Sequence, residues 1–357
     1  MIRLATSVSA YPFHNYRYLK LLKEFAKKFE VYCLAGSIHT VDANRIGDGF
    51  RILPVCPVRL PKKIMHLVRP FLSDLWINVL KPDVVWLFDI AVPILPLMFE
   101  RPVVLDLDDP RITQPGSQTT HVTHNEYRTL HRRKIVTIVV PTELLRTKFI
   151  HLGIEPDRII VVPNGVDTSL FKPMPLPDEP VVLYYGTFQQ HRAKLLVEVI
   201  EQTCRMDSRV RFLIIGDVPK WFVNRLSRNG LIGSVEMPGF IPHDQLPEWL
   251  AKARICLLPQ DRSLGGRMPT KLLDYMATGR PIVATDVEES FLVAESGAGL
   301  VVPANPKAMA EAIITILQNK KYATEMAQRG VNYARRFDWK IVMEKYTKII
   351  ENASVAR

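Results

Sequence analysis

Two rhythms of hydrophobic and polar positions run along this chain. Short apolar runs recur at Ile2–Val8, Glu30–Ala35, Arg51–Pro54, Asp83–Phe88, Val103–Leu107 and Ile135–Val140, and each reads as a strand. Between them lie stretches with helical spacing. Leu19, Leu22, Phe25 and Ala26 share one face of Tyr16–Lys28, Lys62–Leu80 is amphipathic, and a basic helix is expected near Asn125–Arg133. Strands alternating with helices predict βαβ units and a parallel sheet.

The pattern restarts after a break. From Pro141 come a helix, a stop at Gly153, a strand and a turn of Pro163, Asn164 and Gly165; the segment Asp167–Pro180 then carries four prolines and reads as a linker. Beyond it the strands Val181–Tyr185 and Val210–Ile215 end in Gly186 and Gly216, a helix over Arg192–Thr203 separates them, and a further strand lies near Val235. Helices over Pro306–Gln318, Tyr322–Phe337 and Trp339–Ile350 close the chain. The expectation is an α/β protein of two Rossmann-like domains, 1–165 and 166–337, followed by a last helix over 338–357.

The most informative stretch is Gly265–Asp286. Pro269 suits the first position of a helix, Gly279 and Pro281 stop it, and Ile282–Ala284 reads as a buried strand. The helix start leaves the N–H groups of Thr270, Lys271 and Leu272 at the positive end of the dipole, with Arg267 and Lys271 adding full charges, so an anion is expected there. Lys271 and Asp274 are three apart and share a face, an arrangement that suits a phosphate beside a diol. Both side chains are expected to face the ligand, with Leu272, Leu273 and Met276 as the buried stripe, so that replacing either should leave folding intact.

Composition narrows the class. The 357 residues are 47% hydrophobic, ample for two domains, and the longest apolar run, Val84–Phe99, is interrupted by Asp89, Pro93 and Pro96, so neither a membrane span nor a secretion signal is expected. Cys33, Cys56, Cys204 and Cys256 are scattered without metal-ligand spacing, which fits reduced, buried thiols in a cytoplasm. The net charge is +11, of which +7 falls before Gly165 (22 basic against 15 acidic side chains) and +4 after it (25 against 21). With no aromatic-basic recognition motif, nucleic acid is not an expected partner; an anionic membrane surface is a candidate, because Lys62–Leu80 sets Lys62, Lys63, His66 and Arg69 beside Phe71, Leu75 and Trp76, although most such stripes simply pack on a core.

Ligands of open parallel sheets collect at the carboxyl ends of strands. This directs attention to Ser9, Tyr11, Phe13 and His14 after the first strand, and to Asp106, Asp108 and Asp109 after a later one. Tyr11, His14 and the three aspartates are the candidate acceptor contacts. The Asp-x-Asp of LDLDD could also hold magnesium or manganese, or cap a turn before Pro110; no metal is assigned. No strand is followed by G-x-G-x-x-G, and no G-x-x-x-x-G-K is present, which counts against an oxidoreductase and an ATPase.

The segment PTELLRTKFIHLGIEPDRIIVVPNGVDTSLFKP, the run PGFIPHDQLPEWLAKARICLLP and the stretch PTKLLDY together resemble the retaining glycosyltransferases of family 4, group 1, which have the GT-B architecture. The resemblance is strong from Pro141 to the C-terminus and weak before it. It implies two Rossmann-like domains facing across a cleft, the first for the acceptor and the second for a nucleotide-sugar donor, with the last helix crossing back. Where the family has an arginine after the first strand-end glycine, Thr187 stands here, and Arg192 falls near the family's lysine. The implied roles are charge stabilisation by Arg192, Arg267 and Lys271, donor contacts from Gly186, Thr187, Lys194, Gly216, Met268, Pro269 and Thr270, base contacts from Gly239, Phe240 and Ile241, and a ribose contact from Asp274. Gly266 replaces the family's sugar-contacting glutamate.

The resemblance thus implies a retaining, hexosyltransferase-type enzyme of glycan biosynthesis that needs no metal or other cofactor. Its acceptor would be a glycan, a lipid-linked molecule or a small molecule, and its place cytoplasmic or peripheral on the inner face of the membrane. A non-catalytic binding module on the same fold and a nucleotide-sugar epimerase are the alternatives.

Overall fold

The computed structural model describes residues 1–7, 16–37, 49–56, 62–88, 100–108, 130–263 and 265–356. The chain forms two compact units: Met1–Asn164 with Gly265–Met268 and Val342–Arg357, and Gly165–Leu264 with Pro269–Ile341.

In the first unit the described elements are β1 (Arg3–Ser7), α1 (Tyr16–Ala26), β2 (Glu30–Ser37), β3 (Arg51–Cys56), α2 (Lys62–Leu80), β4 (Val84–Phe88), β5 (Val103–Asp106), β6 (Ile135–Val140), α3 (Glu143–His151) and β7 (Ile159–Val161). The strands form one sheet in the order β3-β2-β1-β4-β5-β6-β7, with every pairing parallel. Leu4 of β1 is registered with Val31 on one side and Val84 on the other, so the order reverses beside β1. All five residues of β4 and all four of β5 are buried, which is why these runs are apolar throughout and do not alternate. Ala5, Val85, Leu105, Ile138, Leu145 and Phe149 belong to the core that results.

The second unit contains β8 (Val181–Tyr185), α4 (Gln190–Met206), β9 (Arg211–Ile215), α5 (Lys220–Arg228), β10 (Val235–Gly239), α6 (Leu246–Ala251), β11 (Ile255–Leu258), α7 (Thr270–Ala277), β12 (Ile282–Thr285), α8 (Phe291–Ser296), β13 (Gly299–Val302), α9 (Pro306–Gln318) and α10 (Lys320–Ala334). Its parallel sheet runs β10-β9-β8-β11-β12-β13, and the order reverses between β8 and β11. The final helix, α11 (Trp339–Val355), is divided, with Val342 onward grouped in the first unit. Two connections meet within the second unit, where Val166 N–H donates to Phe337 O at 2.9 Å and Trp339 N–H to Val166 O at 3.1 Å.

The key helix starts one residue later than expected. Pro269 is extended (φ −68°, ψ 116°) and caps α7 through its carbonyl, which accepts from Leu272 N–H at 3.1 Å. The stop is as expected: Gly279 takes φ +71°, and Arg280 N–H donates back to Tyr275 O at 2.8 Å. The cysteines described with their burial, Cys33, Cys204 and Cys256, are buried, and burial raises the thiols of Cys204 and Cys256. The basic helix expected at Asn125–Arg133 lies mostly outside the described residues. Among those described, no helix is long and apolar enough to cross a membrane.

Candidate functional site

In the second unit the carboxyl ends of β8, β9 and β10 meet at glycines. Gly186 follows β8 with φ +139°, Gly216 follows β9 with φ +137°, and Gly216 N–H donates to Gly239 O at 2.8 Å. These turns leave no room for a side chain: a Cβ on Gly216 would stand 2.3 Å from Gly186 O, and one on Gly186 would stand 2.3 Å from Lys271 Nζ. The glycines thus line the carboxyl ends of β8, β9 and β10, next to the point between β8 and β11 where the strand order reverses.

The α7 helix brings two charges to this point. Lys271 Nζ donates to Tyr185 O at 2.7 Å and lies 4.7 Å from the Tyr184 ring centroid, a cation held against an aromatic face. One turn on, Asp274 is only 2% exposed. Its Oδ2 accepts from the Tyr185 hydroxyl and lies 3.1 Å from His243 Nε2, and neither contact uses Oδ1. Burial and then the Asp274 charge push the Tyr185 phenol well above its ordinary range, so it stays a donor. The His243 ring packs on Phe171 at 4.9 Å between centroids.

Arg192, near the start of α4, is 4% exposed. Its Nη1 donates to Thr187 Oγ1 at 3.2 Å and Thr187 O at 3.3 Å, and its Nη2 to Gln260 Oε1 at 3.0 Å. Every one of these acceptors is neutral, and Nε has no hydrogen-bond partner among the described residues. Arg280, by contrast, is equally buried but surrounded by the carbonyls of Ala253, Met174, Pro175 and Thr278. Both are buried cations without an anion in contact among the described residues, but Arg280 uses all three nitrogens whereas Arg192 keeps one N–H, as well as its charge, available near the end of β8.

Of the residues singled out in the sequence, Gly186, Thr187, Arg192, Gly216, Gly239, Lys271 and Asp274 come together here. Thr270 is half-buried in the first turn of α7, Ile241 is half-buried, Phe240 is 81% exposed and Lys194 is exposed on α4. Arg267 and Met268 precede the helix in the segment grouped with the first unit, where Asn164 Nδ2 donates to Met268 O at 2.8 Å and Thr142 Oγ1 to Gly266 O at 2.7 Å.

Also in the first unit, Asp106 is fully buried at the end of β5 and accepts from Arg17 Nη2 at 2.7 Å. Asp108 accepts from Asn164 Nδ2 at 2.8 Å, and Arg17 also donates to Asn164 Oδ1 at 2.6 Å and Tyr346 OH at 2.7 Å. Asp106 and Asp108 of LDLDD thus take part in a buried polar network, which leaves the fully buried Asp106 less open to an acceptor than Asp108. Tyr11, His14 and Asp109, with Ser9 and Phe13, lie outside the described residues.

Sequence reasoning missed Tyr185, His243, Gln260 and Glu289 in the second unit and Arg17, Asn164 and Tyr346 in the first. Tyr185 and Gln260 stand at or just beyond strand ends, where the same rule that found Gly186 applies. His243, Glu289 and Tyr346 carry no local signal, since only the tertiary fold brings them to their partners.

Residues 16–170 match the profile of glycosyltransferase family 4, and residues 179–319 that of glycosyl transferases group 1. This chain belongs to that family. Its fold is the GT-B architecture: sucrose-phosphate synthase from Thermosynechococcus elongatus superposes with a TM-score of 0.83 at 16% identity over 100% of both chains. Anabaena HepE in complex with UDP does so with a TM-score of 0.78 at 16% identity, over 99% of this chain and 100% of the other. Among curated proteins, one component of the phosphatidylinositol N-acetylglucosaminyltransferase of Arabidopsis thaliana is 31% identical over 141 residues, covering 38% of this chain and 31% of that protein. Across the relatives compared, the matched region spans from 31% to 65% of their own length.

Proposed function

We propose that the chain is a retaining glycosyltransferase that moves a sugar from a nucleoside diphosphate sugar to a glycan, lipid-linked or small-molecule acceptor, without a metal. The observation that carries this reading is the buried Arg192 guanidinium, which touches no carboxylate and lies beside the Gly186 and Gly216 turns with Lys271 nearby. A leaving diphosphate gains charge as the glycosidic bond breaks, and fixed cations already desolvated at that point stabilise the transition state more than the ground state. Asp274, with Oδ1 unused by Tyr185 and His243, is the acceptor for ribose hydroxyls. Retention follows in this reading from attack on the same face as the departing diphosphate, so no side-chain nucleophile is assigned. HepE, which shares this fold, was crystallised with UDP, and that supports a nucleotide in the second unit.

The acceptor contacts we assign to Asp108 and to the segments after β1 and β5. A peripheral place on an anionic cytoplasmic membrane face is supported by α2, whose Ile64, Phe71, Leu75 and Val79 are exposed, and by the phosphatidylinositol named in the Arabidopsis relative.

Titrating UDP, GDP and ADP with and without EDTA, followed by thermal stabilisation, tests the donor reading. One nucleotide should stabilise the protein equally in both conditions. Strict dependence on a divalent ion would defeat metal independence. Binding without any transfer across a broad donor and acceptor panel would favour a non-catalytic relative, and conversion of donor with no acceptor would favour an epimerase.

A further inference from the structure

Gln260 lies just beyond β11, is 3% exposed, and has its main-chain N–H and both side-chain polar atoms engaged. Its main-chain N–H donates to Thr285 Oγ1 at 2.9 Å, its Oε1 accepts from Arg192 Nη2 at 3.0 Å, and its Nε2 donates to Glu289 Oε2 at 3.2 Å. Glu289 is fully buried, and Ser263 Oγ donates to its other oxygen at 3.3 Å. The orientation of the amide is dictated by its neighbours, because a guanidinium only donates and a carboxylate only accepts. A buried cation and a buried carboxylate are therefore joined through a neutral spacer.

Arg280 is also held by neutral acceptors, but there all three guanidinium nitrogens donate to carbonyls, and two further arginines take a carboxylate directly. Arg17 meets Asp106 directly at 2.7 Å, and Arg225 meets Glu201 at 2.7 Å. A carboxylate in contact cancels most of the field of a cation, whereas one displaced by the width of an amide offsets desolvation but leaves the near field in place, since the interaction falls with distance. Arg192 also keeps an Nε without a partner among the described residues.

We propose that Gln260 is a positioning residue that holds Arg192 by a neutral contact, so that its charge stays available to the diphosphate group of the donor. This rests on the reading of the second unit as a donor site. A glutamate at 260 would form the direct ion pair that the amide prevents. It should leave the fold at least as stable while weakening diphosphate binding.

The test uses the full chain and, as probes, whichever of UDP, GDP and ADP the wild type binds best, the matching nucleoside, and inorganic diphosphate. In Gln260→Glu the nucleoside diphosphate and inorganic diphosphate should bind at least tenfold more weakly, the nucleoside should bind as before, and the melting temperature should hold or rise. The double variant Gln260→Glu with Glu289→Gln restores the net charge but keeps the carboxylate on Arg192, and it should remain as weak. Gln260→Met, of similar volume, should lose diphosphate affinity severalfold with the nucleoside unaffected, which keeps the idea testable if the glutamate variant folds poorly. Equal losses for nucleoside and diphosphate, unchanged diphosphate affinity in Gln260→Glu, or full recovery in the double variant would each overturn the proposal and leave the donor reading standing. A wild type that binds inorganic diphosphate but no nucleotide would defeat the donor reading instead, and one that binds neither defeats both.

Discussion

The Lys271 ammonium donates to the carbonyl of Tyr185 at 2.7 Å, at the point where Gly186 lacks the Cβ that would stand 2.3 Å from the same nitrogen. Gly186→Ala therefore meets a flexible side-chain end, whereas Gly216→Ala meets the main-chain oxygen of Gly186 at the same 2.3 Å. Both also force a non-glycine residue to φ +139° or +137°, well outside the left-handed helical region, at about 1–3 kcal/mol. Gly186→Ala should displace Lys271 and weaken nucleoside diphosphate binding with a modest fall in melting temperature. Gly216→Ala should be the less stable of the two by a clear margin in urea titration; the reverse order would refute the packing argument.

Lys271 and Asp274 should separate turnover from binding. Lys271→Ala removes a charge that matters most as the diphosphate leaves, so kcat should fall by about a hundredfold or more while donor affinity falls less. Asp274→Ala removes a contact made equally in ground and transition states and should chiefly raise the donor KM. The expectation that both replacements spare the fold needs correcting for Asp274. This side chain is buried and accepts from Tyr185, so its loss leaves a buried hydroxyl without a partner, at about 1–3 kcal/mol. Asp274→Asn, which keeps an acceptor, should recover part of that stability without recovering KM.

Arg17 should be a folding residue with a pH signature. Its removal in Arg17→Met leaves Asp106 buried without its cation, at a cost of about 3–5 kcal/mol. Burial already raises the Asp106 carboxyl above its ordinary range, with Arg17 opposing. Without Arg17 it rises further. A carboxyl whose folded value exceeds its unfolded one contributes stability at low pH that is lost as pH rises through the folded value. The variant's deficit should therefore grow as pH rises above the ordinary carboxylate range in denaturant titrations, and adding Asp106→Asn should flatten it. A deficit of equal size at low and high pH would count against this account.

Much of this fold was legible because parallel strands buried on both faces appear as continuous apolar runs. Ile135–Val140 and Val181–Tyr185 are observed with the bounds that their hydrophobic pattern predicts. The helix α5 was not anticipated, although Phe222 and Leu226 have the four-residue spacing of its buried face. Its polar character and shortness hid it. At the site, Gly186, Gly216, Lys271 and Asp274 announce themselves by strand-end position or helical spacing. Arg192 was legible only through family resemblance, and its neutral cage of Thr187 and Gln260 was not, since that depends on which loops the sheet order brings together.

The α2 helix packs Leu72, Trp76, Ile77 and Leu80 on the core yet carries a second, exposed apolar stripe, and this gives the last prediction. Ser73 and Asp74 are buried, while Ile64, Phe71, Leu75 and Val79 are exposed by 49%, 59%, 59% and 65%. The last three are four residues apart and Ile64 is seven before Phe71, so they share a stripe along the outer side of the helix. Because these side chains contribute little to the core, Phe71→Ser and Leu75→Ser should change stability by no more than about 0.5 kcal/mol. If the stripe enters a bilayer interface, each replacement forfeits burial of about 1.5–3 kcal/mol, or about tenfold or more in partitioning. Co-sedimentation with anionic vesicles should fall accordingly, and high salt should weaken the wild type as well, since the +11 chain is drawn by charge. Wild-type protein that sediments no better with anionic than with neutral vesicles, or serine variants that sediment as well as the parent, would remove the membrane from this picture and point to a soluble acceptor.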